Sequence, residues 1–233
     1  MESGFRDMVV EKCVDIFFPR FCAGCGQEGS VWCQGCEQAL LLPAPDPACP
    51  FCHTPGSDRT CASCREQTFV DGLTTMSSYA FPALRDVLTT WKYHGDEACA
   101  VVLERWVRSA APRLRIPPGM NAVTHVPLHP ARARQRGFDQ GQRIAEMISH
   151  VINLPRKDLL ARRRRTASQA GVVSSSRLVG DMDGVFEAHD VPLRVLLCDD
   201  VFTSGATMDA AAKCLKEAGA MEVWGFALAR SKP

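Results

Sequence analysis

Two groups of residues in this chain have the types and spacing to do chemistry. The first is a set of eight cysteines in four CxxC pairs: Cys22/Cys25, Cys33/Cys36, Cys49/Cys52 and Cys61/Cys64. A CxxC turn lets two thiolates grip one Zn²⁺, and two such turns complete a tetrahedral Cys₄ set. Seven residues separate the first two pairs and eight the last two, so the pattern reads as two zinc ribbons in tandem. Gly24, Gly26 and Gly35 suit the tight turns required. With four protein ligands each, the sets are closed, and two zincs there are structural rather than catalytic. The spacing leaves open whether neighbouring pairs or crossed pairs share a metal. The stretch "CPFCH" at Cys49–His53 also fits a c-type haem attachment pattern, but haem would leave the partner pair without a role. A thioredoxin-like redox pair needs a βαβ context, which Pro43, Pro45, Pro47, Pro50 and Pro55 oppose. Cys13, Cys99, Cys198 and Cys214 lack partners at ligand spacing and read as small buried hydrophobes.

The second group lies in "VLLCDDVFTSGAT", Val195 to Thr207. A buried strand has no use for Asp199 and Asp200 side by side in its interior, so the pair marks a strand end and a ligand there. "VFTSGAT" then turns into a helix starting near Ala206. Its N-terminus offers free amides and a positive dipole to an anion, and Gly205 allows close backbone approach. Thr203, Ser204 and Thr207 add hydroxyl donors. The turn suits a phosphate, and the carboxylates suit sugar hydroxyls or Mg²⁺. It is not a P-loop, because no GxxxxGK[ST] occurs. The plain alternative is a capped helix beside two acidic loop residues. His125 and His129 flank "VPL", where a structural histidine is as good a reading as an acid or base.

These residues need a scaffold, and hydrophobic periodicity supplies one. "LTTMSSYAF", "NAVTHVPL", "RVLLCDD" and "MEVWGFALAR" read as strands. "ALRDVLTTWKYHG", "EACAVVLERWVRSAAPRL", "GQRIAEMISHVINL" and "ATMDAAAKCLKEAG" read as helices, with Gly95 and Gly219 as stops. Strands alternating with helices predict an α/β fold on a parallel sheet, with ligands outside the carboxyl ends of the strands. A chain of 233 residues with 46% hydrophobic content holds one such core and a smaller unit. The expected division is 1–72, an N-terminal helix and double zinc ribbon, and 73–233, the α/β domain.

The net charge of +1 conceals an asymmetry. Residues 131–165 carry ten Lys/Arg and three Asp/Glu, leaving 17 basic against 23 acidic elsewhere. A basic band on a near-neutral chain points to a polyanionic partner, pyrophosphate or nucleic acid. No apolar run approaches the roughly 20 residues that span a bilayer. The first 22 residues lack the basic region and cleavage site of a signal peptide. They read as an amphipathic helix ending before Pro19, too acidic for a membrane anchor. Cysteine-rich and without an export signal, the chain is expected in the cytoplasm, with metal rather than disulfides.

The Val195–Thr207 stretch resembles the phosphoribosyl-pyrophosphate (PRPP) motif of type I phosphoribosyltransferases. The chain as a whole resembles the ComF family of competence-related, GntX-like proteins. "HVPLHPARARQRGFDQ" is similar to that family's VPLHP…RGFNQ segment, "TASQAG" to its PPQAG, and "WKYHGD" to its KYRGD. It departs from the family at Asp139, where Asn is usual, at Ala131, where Arg is usual, and across "VVSSSRLVGDMDGVF". The resemblance implies a type I phosphoribosyltransferase-like sheet behind the double ribbon. By position, Asp199 and Asp200 hold ribose hydroxyls, and Thr203, Ser204, Gly205, Ala206 and Thr207 cradle the 5′-phosphate. Arg132, Arg134 and Arg136 are the cationic candidates for pyrophosphate, and Lys92 and Tyr93 reach over the substrate. The implied activity is Mg²⁺-dependent pentosyl transfer from PRPP through an oxocarbenium-like transition state, with the acceptor open. The alternative is a non-catalytic zinc-ribbon module that binds single-stranded DNA during transformation. It would use the arginines up to Arg162, Arg163, Arg164 and Arg165, with Phe138 as the stacking residue. A competence helicase or recombination mediator is the implied protein partner.

Overall fold

The computed structural model describes residues 19, 21–22, 25–30, 32–39, 44–95, 97–163 and 184–231. The N-terminal helix expected before Pro19, Cys13, Arg164, Arg165, "TASQAG" and most of "VVSSSRLVGDMDGVF" lie outside them. Six strands are described: β1 (Gly72–Ser78), β2 (Ala122–His125), β3 (Leu160–Arg162), β4 (Phe186–Ala188), β5 (Arg194–Phe202) and β6 (Glu222–Arg230). The helices are α1 (Gln34–Ala39), α2 (Ala62–Arg65), α3 (Pro82–His94), α4 (Glu97–Ala110), α5 (Pro130–Arg136), α6 (Gln140–Ile152) and α7 (Ala206–Glu217).

A strand buried on both faces is favoured by apolar residues at successive positions. In the main sheet β5 and β6 carry such runs, while β1 and β2 also bury Thr74, Thr75, Ser77, Thr124 and His125. Its order is β1-β6-β5-β2, all parallel. Leu196, Cys198, Trp224, Phe226 and Leu228 join one core with Leu88 and Trp91 of α3, Leu103 and Trp106 of α4, and Ile144 and Ile148 of α6. Val195, Leu197, Val223 and Ala227 alternate onto the opposite face, with Met208, Ala211 and Leu215 of α7. Gly72 pairs in register with Trp224, and a Cβ there would come 2.2 Å from the indole. Only glycine lets that ring lie across β1.

Helix ends follow local chemistry. Gly95 closes α3 in the left-handed conformation (φ 63°), its N–H donating to Trp91 O. Asp139 caps α6, with Oδ1 accepting from Gln142 N at 3.2 Å. The segment after "HVPL" is the short helix α5. His129 caps it, Nδ1 accepting from Ala131 N at 3.2 Å, and Pro130 begins it. "PARARQR" has no apolar face, so periodicity could not reveal this helix. β5 also runs further than expected. Because β6 continues beside it to Arg230, the ladder carries on through Asp199 and Val201 to Phe202. No helix among the described residues is long and apolar enough to cross a membrane.

Candidate functional site at the carboxyl edge of the sheet

The carboxyl ends of β2, β5 and β6 meet the N-terminus of α7 at one edge. Asp199 keeps some accessible surface but sits deep among protein atoms. That burial, and then the charge of Asp200, push its carboxyl up to about 8, although the Asp200 amide and Lys92 pull the other way. Asp199 Oδ1 accepts that amide hydrogen bond at 2.8 Å. Lys92, near the end of α3, places Nζ 2.7 Å from Asp200 Oδ2. The structure therefore brings together Asp199, Asp200 and Lys92, with an ammonium as counter-charge for two crowded carboxylates.

Thr203 and Ser204 are exposed on the turn, and Ser204 Oγ accepts from Ala206 N at 3.4 Å. Ala206 and Thr207 open α7. Gly205 has φ 81° and its carbonyl accepts from Asp209 N at 2.8 Å. The expected reason for glycine, close approach to a ligand, needs correction. A Cβ at Gly205 would point inward, 2.4 Å from Phe202 Cζ and 3.0 Å from Phe51 Cε1. Glycine is required here by the aromatic floor beneath the turn as well as by its positive φ.

The arginines separate. Arg136 donates to Gln140 Oε1 at 2.8 Å and lies 5.7 Å from the ring centroid of the exposed Tyr93. Arg132 and Arg134 share α5 with it. Arg162, expected in a nucleic-acid band, is half-buried with its guanidinium 5.4 Å from the ring centroid of Phe186. Burial and the nearby Arg132 lower its pKa, while Asp199 and Asp139 raise it. Arg163 pairs with Glu187. Phe138, expected to stack on bases, is packed against the core 5.4 Å from Trp91. Asp139 serves structure, since Oδ2 also accepts from Leu128 N at 2.8 Å. His125 lies 3.8 Å from Asp139 and 3.9 Å from Asp158, with burial holding its pKa down.

The eight cysteines fall into Cys22, Cys25, Cys33, Cys36 and Cys49, Cys52, Cys61, Cys64, each with all four sulfurs within 4.8 Å of one another. Neighbouring pairs share a site; the crossed arrangement is not the one adopted. The Cys25–Cys33 and Cys52–Cys61 sulfurs are 3.7 and 3.5 Å apart, close to the ~3.8 Å edge of a tetrahedron with Zn–S near 2.3 Å. Cys33 N donates to Cys22 Sγ at 3.3 Å and Cys61 N to Cys49 Sγ at 3.4 Å. Burial, then the neighbouring thiols, push Cys36 and Cys64 up to about 12. Four thiolates so close need a cation among them, and the donor set fits Zn²⁺. In each quartet the first pair sits in a turn closed by an antiparallel bridge, Phe21 with Glu28 or Ala48 with Pro55. The second pair opens a short helix, with Cys36 in α1 and Cys64 in α2. Cys99 and Cys198 are fully buried, as expected, and Cys214 partly so.

Three neighbours of the site were invisible in the sequence. Phe51, inside the second quartet, meets Phe202 edge to face with centroids 5.9 Å apart. Arg230, at the end of β6, donates from Nη2 to Cys49 O and Pro50 O at 2.8 and 2.7 Å. Asp209 in the first turn of α7 accepts from the amides of Phe69 and Val70 at 2.6 and 3.1 Å. An Asp in a first helical turn was the one signal available for any of them.

Fold and site together define a parallel-sheet α/β protein with a cluster of carboxylates and a helix N-terminus at its ligand edge, preceded by two Cys₄ groups able to hold zinc. No family model matches the chain. It is 26% identical over 216 residues to Competence protein F of Haemophilus influenzae, covering 84% of this chain and 90% of that protein. It is 29% identical over 149 residues to Competence protein ComFC of Streptococcus pneumoniae, 64% of either chain. Competence protein ComFC of Bacillus subtilis is 27% identical over 194 residues, 78% of either chain. The resemblance to the ComF proteins thus holds over most of the chain. A solved structure described as the allosteric regulatory enzyme of purine biosynthesis matches at a TM-score of 0.39 and 19% identity, over 55% of this chain and 26% of that one.

Proposed function

We propose that this chain is a PRPP-binding, phosphoribosyltransferase-like protein associated with DNA uptake, acting in the cytoplasm. The observation that carries this reading is one juxtaposition. Asp199 and Asp200 lie close to the carboxyl end of a central parallel strand that finishes at Phe202, and after Thr203 and Ser204 the helix N-terminus at Gly205 and Ala206 begins. Such an edge offers a phosphate free amides and hydroxyls, and offers diol oxygens or a hard cation two carboxylates. The names of the three relatives supply the setting, natural competence. We take 1–72 as the metal-binding unit and 73–233 as the PRPP-binding domain.

In this reading Thr203, Ser204, Gly205, Ala206 and Thr207 bind the 5′-phosphate. Asp199 and Asp200 orient the ribose hydroxyls and hold Mg²⁺. The Lys92 ammonium 2.7 Å from Asp200 Oδ2 supports positive charge beside that carboxylate. Bound Mg²⁺ would supply positive charge to departing pyrophosphate. Arg132 and Arg136, on α5, add fixed positive charge on the same side. The excess of arginine between residues 131 and 165 supports single-stranded DNA as a second ligand, held mainly through its phosphates. A helicase or recombination mediator of the uptake machinery is the proposed protein partner.

The test is turnover. Protein incubated with Mg²⁺, PRPP and a panel of bases or single-stranded nucleic acids is assayed for pyrophosphate and for ribosylated product by mass spectrometry. Acceptor-dependent pyrophosphate supports a transferase. PRPP binding without release under any acceptor leaves a binding protein, and an absence of PRPP binding overturns the reading.

A further inference from the structure

We infer that the second cysteine quartet is a control element for the anion-binding turn, with Phe51 and Arg230 as the positioning residues that connect them. Phe51 lies between Cys49 and Cys52, so metal held by that pair fixes the backbone on both sides of its ring. The ring rests against Phe202 and lies 3.0 Å from where a Cβ on Gly205, the pivot of the turn, would stand. Arg230 completes the connection. It is the register partner of Phe202 on the neighbouring strand, and its Nη2 reaches the carbonyls of Cys49 and Pro50 and lies 2.6 Å from His53 Nδ1. A second tie runs from the chain just after the quartet, through the Phe69 and Val70 amides, to Asp209 of α7.

The first quartet has a different anchor. Its Trp32 is buried in the core shared with α3, α4 and α6, whereas Phe51 packs with α7 against the other core, on the opposite face of the sheet. The two metal sites are therefore inequivalent. Loss of metal from the second frees the 49–52 loop, withdraws the support of Phe51 and loosens the amides of 203–207. Loss from the first leaves the turn in place. Linkage requires the converse, so an anion seated on the turn strengthens metal retention at the second quartet only.

The mechanical part stands on contacts alone; its effect on ligand affinity rests on the proposed phosphate site. The full chain is compared with Phe51→Ala, Phe51→Tyr, Cys61→Ser and Cys36→Ser. Zinc content, amide exchange of 203–209 and affinity for Mg²⁺–PRPP are measured on each. Phe51→Ala is expected to keep two zincs while exchange across 203–209 accelerates about tenfold and affinity falls by about the same factor, within the ordinary range of site coupling. Phe51→Tyr should restore both. Cys61→Ser should lose one zinc and reproduce the loosened turn, whereas Cys36→Ser loses the other zinc with the turn unchanged. Unaltered exchange at 203–209 in Phe51→Ala, or equal acceleration in the two cysteine variants, overturns the inference. If either cysteine variant fails to fold, the zinc-loaded Phe51 pair still decides. Wild-type protein without affinity for Mg²⁺–PRPP would refute the proposed ligand, while the exchange comparison would still decide the coupling.

Discussion

Asp199 should make cation binding at the sheet edge strongly pH-dependent. Burial and the charge of Asp200 raise its carboxyl from 3.8 to about 8, so below that value the group carries a proton that Mg²⁺ must displace. With a pKa near 8, the ionised fraction is about one in a hundred at pH 6 and about one half at pH 8, each unit being a tenfold change. Apparent affinity for Mg²⁺–PRPP should therefore rise roughly fiftyfold across that window, beyond any change from the ligand's own ionisation. Calorimetry in buffers of different ionisation enthalpy should register about one proton released per cation bound near pH 6. Asp199→Asn, which cannot titrate, sets the baseline. The sign for stability is opposite. The unfolded carboxyl ionises near 3.8 and the folded one near 8, so the native state binds more protons between them. Without ligand, stability is greatest below pH 3.8 for this group and is lost as pH rises through 8. Wild type and Asp199→Asn with the same pH slope in affinity would refute the reasoning.

Other outcomes follow from the same geometry. Purified protein should contain about two zincs per chain by ligand count, and a folded, metal-free protein by elemental analysis would count against both quartets. Gly205→Val should destabilise by about 2–4 kcal/mol in denaturant titration, because the positive φ and the clash with Phe202 act together; a neutral result would mean that the aromatic floor yields. Trp32→Ala should cost about 3–5 kcal/mol, since its indole belongs to the helical core, whereas a loss below 1 kcal/mol would make the first quartet an independent appendage.

The sequence made the metal ligands legible because CxxC spacing is local, the ligands of each knuckle being three residues apart, while which knuckles share a metal became visible only in the fold. The parallel sheet was legible through its apolar runs, and the carboxylate pair through its contradiction of a buried strand. What escaped was non-local or amphipathically silent. The helix Pro130–Arg136 has no apolar stripe, so hydrophobic periodicity does not report it. Phe51 and Arg230 are separated by most of the chain, and nothing in "CPFC" or "ALAR" announces that one will lie beneath Gly205 and the other across Cys49. Asp139, an apparent misfit in a basic stretch, is explained by the orphan amides at the start of α6. Phe138 looked available because it follows Arg136, yet its ring turns to Trp91.

The central claim is that the Asp199–Thr207 edge binds PRPP. Calorimetric titration of Mg²⁺–PRPP into wild type and the double variant Asp199→Asn/Asp200→Asn tests it most directly, with zinc content and thermal unfolding confirming that both are folded. The account predicts saturable binding to wild type and none to the double variant at the same protein concentration. Equal affinity in the two, or no binding to either, would contradict it.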